Sequence, residues 1–148
     1  SSQLKRKNNI TGLSKEGEII LEESSKNNER LIQLSSELKL AEGVYSRLLE
    51  TDAETLPPNL GLRDENISES IIAYNKLVSN KNTLKLSAGP SNPILKRLTA
   101  EVSLQRNNLI KSIDNLVFSL KSQINQLEKV DFRIQQKISS IISKTSLK

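Results

Sequence analysis

The chain has 148 residues and a formal net charge of +5, with two Tyr, two Phe and no Trp, Met, Cys or His. This composition excludes disulfides and Cys-based metal sites, removes the commonest general base and metal ligand, and leaves no aromatic-filled core. Apolar area has to come from Leu, Ile and Val on helix seams, with Lys, Glu, Ser, Asn and Gln covering the solvated faces.

Ser at position 1 and the lack of Met predict a processed protein or an excised piece of a larger one. There is no run of about 18 apolar residues and no signal-peptide pattern, so any membrane anchor is expected outside this piece. Lys5, Arg6 and Lys7 form the only basic run. It sits at a polar end, and elsewhere Lys and Arg alternate with Glu, Asn and Gln. That is the pattern of a solvated surface rather than a nucleic-acid face, which concentrates its cations and adds aromatics or a motif. Closeness to anionic lipid is a second reading of the run.

Residues 1–13 are polar and contain Gly12, and read as a flexible arm. Ser14 is a candidate cap for a first helix, with Glu16 and Glu18 favourable in its first turn. The apolar stripe of this helix, expected over 14–55, runs Leu31, Leu34, Leu38, Ala41, Tyr45, Leu48. Ser24 and Asn27 extend the same stripe backwards, so its early half has a polar seam and should pair weakly. Pro57 and Pro58 stop the helix, because Pro lacks an N–H and disfavours helix in the residue before it. Leu56, Leu60 and Leu62 flank these breakers, with Gly61 among them, and are expected to pack on neighbouring helices.

Asp64 is a suitable N-cap for a second helix, expected over 64–87, with Ile67, Ile71, Tyr74, Leu77, Val78 and Leu84 as its apolar positions. Gly89 and Pro90 then end it, Gly89 as a left-handed C-terminal cap and Pro90 as the block to continuation. Asn92 and Pro93 open a third helix, as N-cap and first helical residue. It contains no further Pro or Gly and is expected over 93–146.

From Ile113 to Ile141 the third helix repeats apolar residues at alternating steps of four and three: Ile113, Val117, Leu120, Ile124, Leu127, Ile134, Ile138, Ile141. Only Asp131 breaks the stripe. Such a narrow stripe is a seam for another helix. Its phase slips near Leu109–Ile113, where Leu116 and Val117 both look buried, which fits a stutter or a change of partner helix. Some 50 residues make a rod of roughly 75 Å, and the first two helices stacked end to end would give roughly 90 Å. The expected fold is therefore all-α: a long antiparallel helical hairpin or coiled coil with a Pro-broken ascending arm, in a single domain over 14–148. A second fold at Pro57–Gly61, giving a three-helix bundle along part of the length, is the competing layout.

The segments Pro57-Pro58-Asn59-Leu60-Gly61-Leu62 and Ile71-Ile72-Ala73-Tyr74-Asn75-Lys76-Leu77, followed by Asn92-Pro93 and a long helix, occur in a telling order. The chain over about residues 29–128 resembles the periplasmic coiled-coil region of bacterial polysaccharide co-polymerases. These are the chain-length determinants that include capsular and exopolysaccharide tyrosine autokinases, and the Bacteroidetes-type branch is the most similar. The resemblance implies a periplasmic region of an inner-membrane protein, between two membrane helices that lie outside this piece. A cytoplasmic kinase domain often follows in the parent. It also implies a homo-oligomeric ring in the membrane-anchored parent, acting with a polymerase and an outer-membrane exporter. It carries over no catalytic residues, and no Gly-rich phosphate loop followed by Lys and Ser or Thr is present. Asp131, Ser24 and Asn27 depart from a clean coiled coil.

Candidate chemistry is correspondingly sparse. Asp52 with Glu54 and Asp64 with Glu65 flank breakers, where acids act as caps and solubilising groups. No Ca²⁺-type loop is present, and no metal, cofactor or nucleic-acid partner is expected. Asn9-Ile10-Thr11 and Asn66-Ile67-Ser68 fit the glycosylation sequon by chance. Tyr45 and Tyr74 read as core rather than as sugar-stacking platforms. Asp131 either fixes register in the seam or lies wet where the helix has rolled. The structural residues are the tip Gly89, Pro90, Asn92 and Pro93 and the break Pro57, Pro58 and Gly61. The seam comprises Leu38, Tyr45, Ile71, Ile113, Leu120, Ile124, Leu127 and Ile134. The expected function is a non-catalytic module that controls polysaccharide chain length and export through oligomerisation. The alternative is a coiled-coil spacer, such as the hairpin of a periplasmic efflux adaptor or another tether. In isolation the piece is expected to be a monomer or weak oligomer, because membrane confinement raises effective concentration.

Overall fold

The computed structural model describes residues 2–50, 55–57 and 61–146. Among these the chain is all-α, with helices α1 (Ser2–Glu50), α2 (Glu65–Lys85) and α3 (Pro93–Ser146). The starts of α2 and α3 lie where the capping residues predict. The start of α1 does not. The expected arm is helical from Ser2 onward, and Ser14 lies inside the helix instead of capping it. Gly12 and Gly17 each cost about 1 kcal/mol relative to Ala in a helix. Neither is a stop without a Pro, and this stretch has a partner to lie against: Gly12, Ile19 and Ile20 share a crevice with Lys137 of α3. The acids Asp52 and Glu54, the breaker Pro58, and Asn59 and Leu60 lie outside the described residues.

The chain groups into two compact units. One comprises Ser1–Ser35 with Ser122–Lys148, and the other Ser36–Lys121. The first is built from two helices and the second from three.

In the three-helix unit the ascending arm is broken at the proline segment, as expected, but the helices on either side do not abut. They overlap. The chain leaves α1 after Glu50, and Leu56 lies beside Asn75, midway along α2. By Arg63 it has come back alongside α1, where the Arg63 backbone N–H donates to Glu37 Oε1 at 3.3 Å. A Cβ on Gly61 would sit 3.1 Å from Leu40 Cδ1. Residues 61–63 therefore lie beside the Glu37–Leu40 turn of α1, and α2 climbs from there past Leu56. Arg106 of α3 reaches the end of α1, its Nε donating to the Leu48 carbonyl oxygen at 2.8 Å. The core of this unit is continuous: Ala41, Val44, Leu48, Leu56, Ile67, Ile71, Tyr74, Val78, Leu95, Val102, Leu109, Ile113 and Leu120 are all buried.

The two-helix unit pairs the first part of α1 with the last part of α3, antiparallel: Ile20 and Glu23 lie near Lys137, and Asn27 near Leu127. Its fully buried apolar residues are Ile20, Leu34 and Ile134, and it also buries Ser24 and Asn27. Two helices alone present only one shared face, so most side chains here keep contact with water.

Candidate functional site

Three places carry the architecture: the tip, the break and the seam. At the tip, α2 ends by tightening. The Leu86 N–H donates to the Thr83 carbonyl oxygen, and the Ser87 and Ala88 N–H groups donate to Leu84 oxygen at 3.1 and 2.9 Å. These bonds satisfy carbonyls that a helix end would otherwise leave open. Gly89 does not take the left-handed conformation expected of it. Gly61 is the one described residue with positive φ, at 68°. The reason is that the tightened last turn already accepts the cap bonds, so the chain needs only an ordinary turn. Gly89 oxygen accepts from the Asn92 N–H at 3.0 Å, with Pro90 inside that turn. Asn92 then caps α3 as expected, its Oδ1 accepting from the Ile94 and Leu95 N–H groups at 2.9 and 3.2 Å, and Pro93 is the first residue of α3.

At the break, Asn75 clasps the main chain of Leu56. Its Oδ1 accepts from the Leu56 N–H and its Nδ2 donates to the Leu56 carbonyl oxygen, both at 2.7 Å. A side-chain amide thus replaces the backbone partner that an extended segment beside Pro57 cannot find in a helix or sheet. Leu56 is buried, and Pro57 and Leu62 are half-buried. Gly61, beside Leu40 just before α2, takes a φ that costs other L-residues roughly 1–2 kcal/mol. Asp64 caps α2 through its Oδ1, which accepts from the Ile67 N–H at 3.1 Å. Its place beside Glu65 is that of a capping group.

Along the seam, Ile71, Ile113, Leu120 and Ile134 are fully buried, whereas Leu38, Tyr45, Ile124 and Leu127 are half-buried. Leu116 and Val117, both expected to be buried at the phase slip, are half-buried. Tyr74 is wholly buried, at 0 % exposure, and offers no face to a sugar. Ser24 and Asn27 do lie in the seam, at 7 and 8 % exposure. Asn27 Nδ2 donates to the Leu127 carbonyl oxygen at 3.1 Å, using the second lone pair of a helical carbonyl. Asp131 falls between its two expected states: the residue is half-buried, but its Oδ1 is fully enclosed with no hydrogen-bond partner among the described residues.

Periodicity did not reveal three residues that matter here. Asn75 sits in a helix opposite a Pro-Pro break, and a lone amide in that position is the signal that it serves the break. Val44 lies one step off the Ala41–Tyr45 stripe, and the helix rolls to bury it rather than Tyr45. Arg106 covers an α1 carbonyl, and nothing in its neighbourhood of sequence marks it. No family model, curated protein or solved structure matches this chain.

Proposed function

We propose that this chain is the non-catalytic helical module of a polysaccharide co-polymerase, lying in the periplasm and acting on chain length and export through oligomerisation. The observation that supports it best is the clasp between Asn75 and Leu56. The two segments that carry the resemblance, one around Pro57 and one around Tyr74-Asn75, are far apart in sequence and touch in space. Their contact gives the order and spacing of the two segments a physical use at this break.

The work assigned to the module is mechanical. The clasp and the Arg106 bond tie α2 and α3 to the last turns of α1. Oligomerisation then needs apolar surface on the outside. Leu104 and Phe118 are exposed, Phe118 to 74 %, on the outward side of α3. They stand roughly four turns, or about 21 Å, apart on one side of the helix. A Phe left that exposed is enriched at interfaces between subunits.

The test is the length distribution of surface polysaccharide on a gel, from cells whose parent protein lacks residues 57–110. A shifted or lost distribution, with the parent still present in the membrane, is expected. An unchanged distribution overturns the proposal and makes the module a passive spacer.

A further inference from the structure

We propose that the crevice where α2 gives way to α3 is a docking site for an acidic peptide segment of a partner protein. It is a separate proposition from the polysaccharide reading and survives or fails without it. The crevice has a volume of about 520 Å³. Lys81, Lys85 and Lys96 stand around it, and Ala88, Pro90 and Leu95 supply an aliphatic floor. None of these lysines makes an ion pair among the described residues, although their neighbour Arg97 is paired with Glu101. No carboxylate lines the crevice.

Helix stability does not account for this arrangement. Lys85, in the last turn of α2, complements that helix's dipole. Lys96 does the opposite: it stands at the start of α3, whose first turn holds no acid, and adds positive charge to a positive helix end. Three cations kept together without counter-charge mark the face an anion would occupy.

The lining also selects among anions. Each ammonium group offers donors and no acceptor. The Thr99 hydroxyl already donates to the Leu95 carbonyl oxygen at 2.8 Å. With its proton so engaged, that hydroxyl can only accept from a ligand, so the donors facing a ligand are the three ammonium groups, and a ligand has to bring anionic acceptors to them and tolerate aliphatic surface. A neutral saccharide brings no charge to the three ammonium groups and gains from aromatic platforms, and neither Tyr nor Phe lines the crevice. Glu or Asp side chains flanking an aliphatic residue meet both demands.

The experiment titrates the 148-residue chain into a fluorescein-labelled, capped peptide, Glu-Leu-Glu-Glu-Leu-Glu, and follows anisotropy. Saturable binding is expected, lost when Gln replaces every Glu in the peptide. Exposed charge pairs each contribute a factor of about 1.5 to 5, so Lys81→Gln, Lys85→Gln and Lys96→Gln together should weaken binding about tenfold. Lys96→Glu alone, which also favours the start of α3, should weaken it by roughly fivefold, and Lys121→Gln should leave it unchanged. Raising salt from about 0.1 M to about 1 M should abolish it, as the screening length falls to about 3 Å. Equal binding by the triple variant overturns the proposal. So does tighter binding of a galacturonate oligomer, which makes the ligand a saccharide. Self-association that vanishes in the triple variant overturns it too, since the occupant is then a second copy.

Discussion

The three-helix unit and the two-helix unit draw on the same two long helices yet are stabilised differently. In Ser36–Lys121 the buried stripe is almost wholly aliphatic and closes around Tyr74. In Ser1–Ser35 with Ser122–Lys148 the equivalent stripe buries Ser24 and Asn27 and encloses an unpartnered Asp131 oxygen. A third helix makes the difference, because it covers the flanks that two helices leave wet. The lesson is that a heptad stripe states where a seam lies, and the number of helices around it states how dry that seam becomes.

The sharpest way to break this comparison is to remove one large side chain from each unit. Tyr74→Ala empties a fully enclosed site and should cost about 3–5 kcal/mol by denaturant titration. Leu127→Ala, at a half-buried site, should cost less than about 2 kcal/mol, since a partly exposed side chain loses less transfer energy. Equal losses would mean that the two seams are equally dry. Asn75→Leu should follow, at about 2–3 kcal/mol, because it leaves both the N–H and the carbonyl of Leu56 without partners. A loss below about 0.5 kcal/mol would show that water replaces the clasp.

Asp131→Leu goes the other way. Removing an enclosed oxygen that has no partner and restoring the apolar stripe should stabilise by about 1 kcal/mol, raising Tm by roughly 3 °C in calorimetry. An unchanged Tm would mean that Asp131 is effectively solvated. The smallest effect belongs to the surface: Glu22 and Lys26 form an exposed pair one turn apart on α1, at 3.3 Å. Glu22→Gln should change stability by no more than about 0.5 kcal/mol, and high salt should erase even that.

Much of the fold was legible as local chemistry. Asn92 and Pro93 mark the start of α3 and Asp64 that of α2, because a capping oxygen and a missing N–H act within a turn of themselves. The aliphatic stripe of α3 and the polar positions Ser24 and Asn27 are equally local, since helical periodicity assigns a face without reference to the partner. At the candidate sites, the tip and the break were recognisable as interruptions. Their bonds were not, since Asn75 and Leu56 meet only after the chain has turned back.

The sequence by itself therefore determined an all-α chain, its two interruptions and the face each helix buries. The tertiary structure decided that residues 2–13 are helical, that α1 and α2 overlap instead of stacking, and that Gly61 rather than Gly89 carries the positive φ. The physical reason is range. Caps, prolines and periodicity act within about one or two helical turns, whereas the cost of a Gly in a helix or the direction of a chain after a break is settled by what lies alongside.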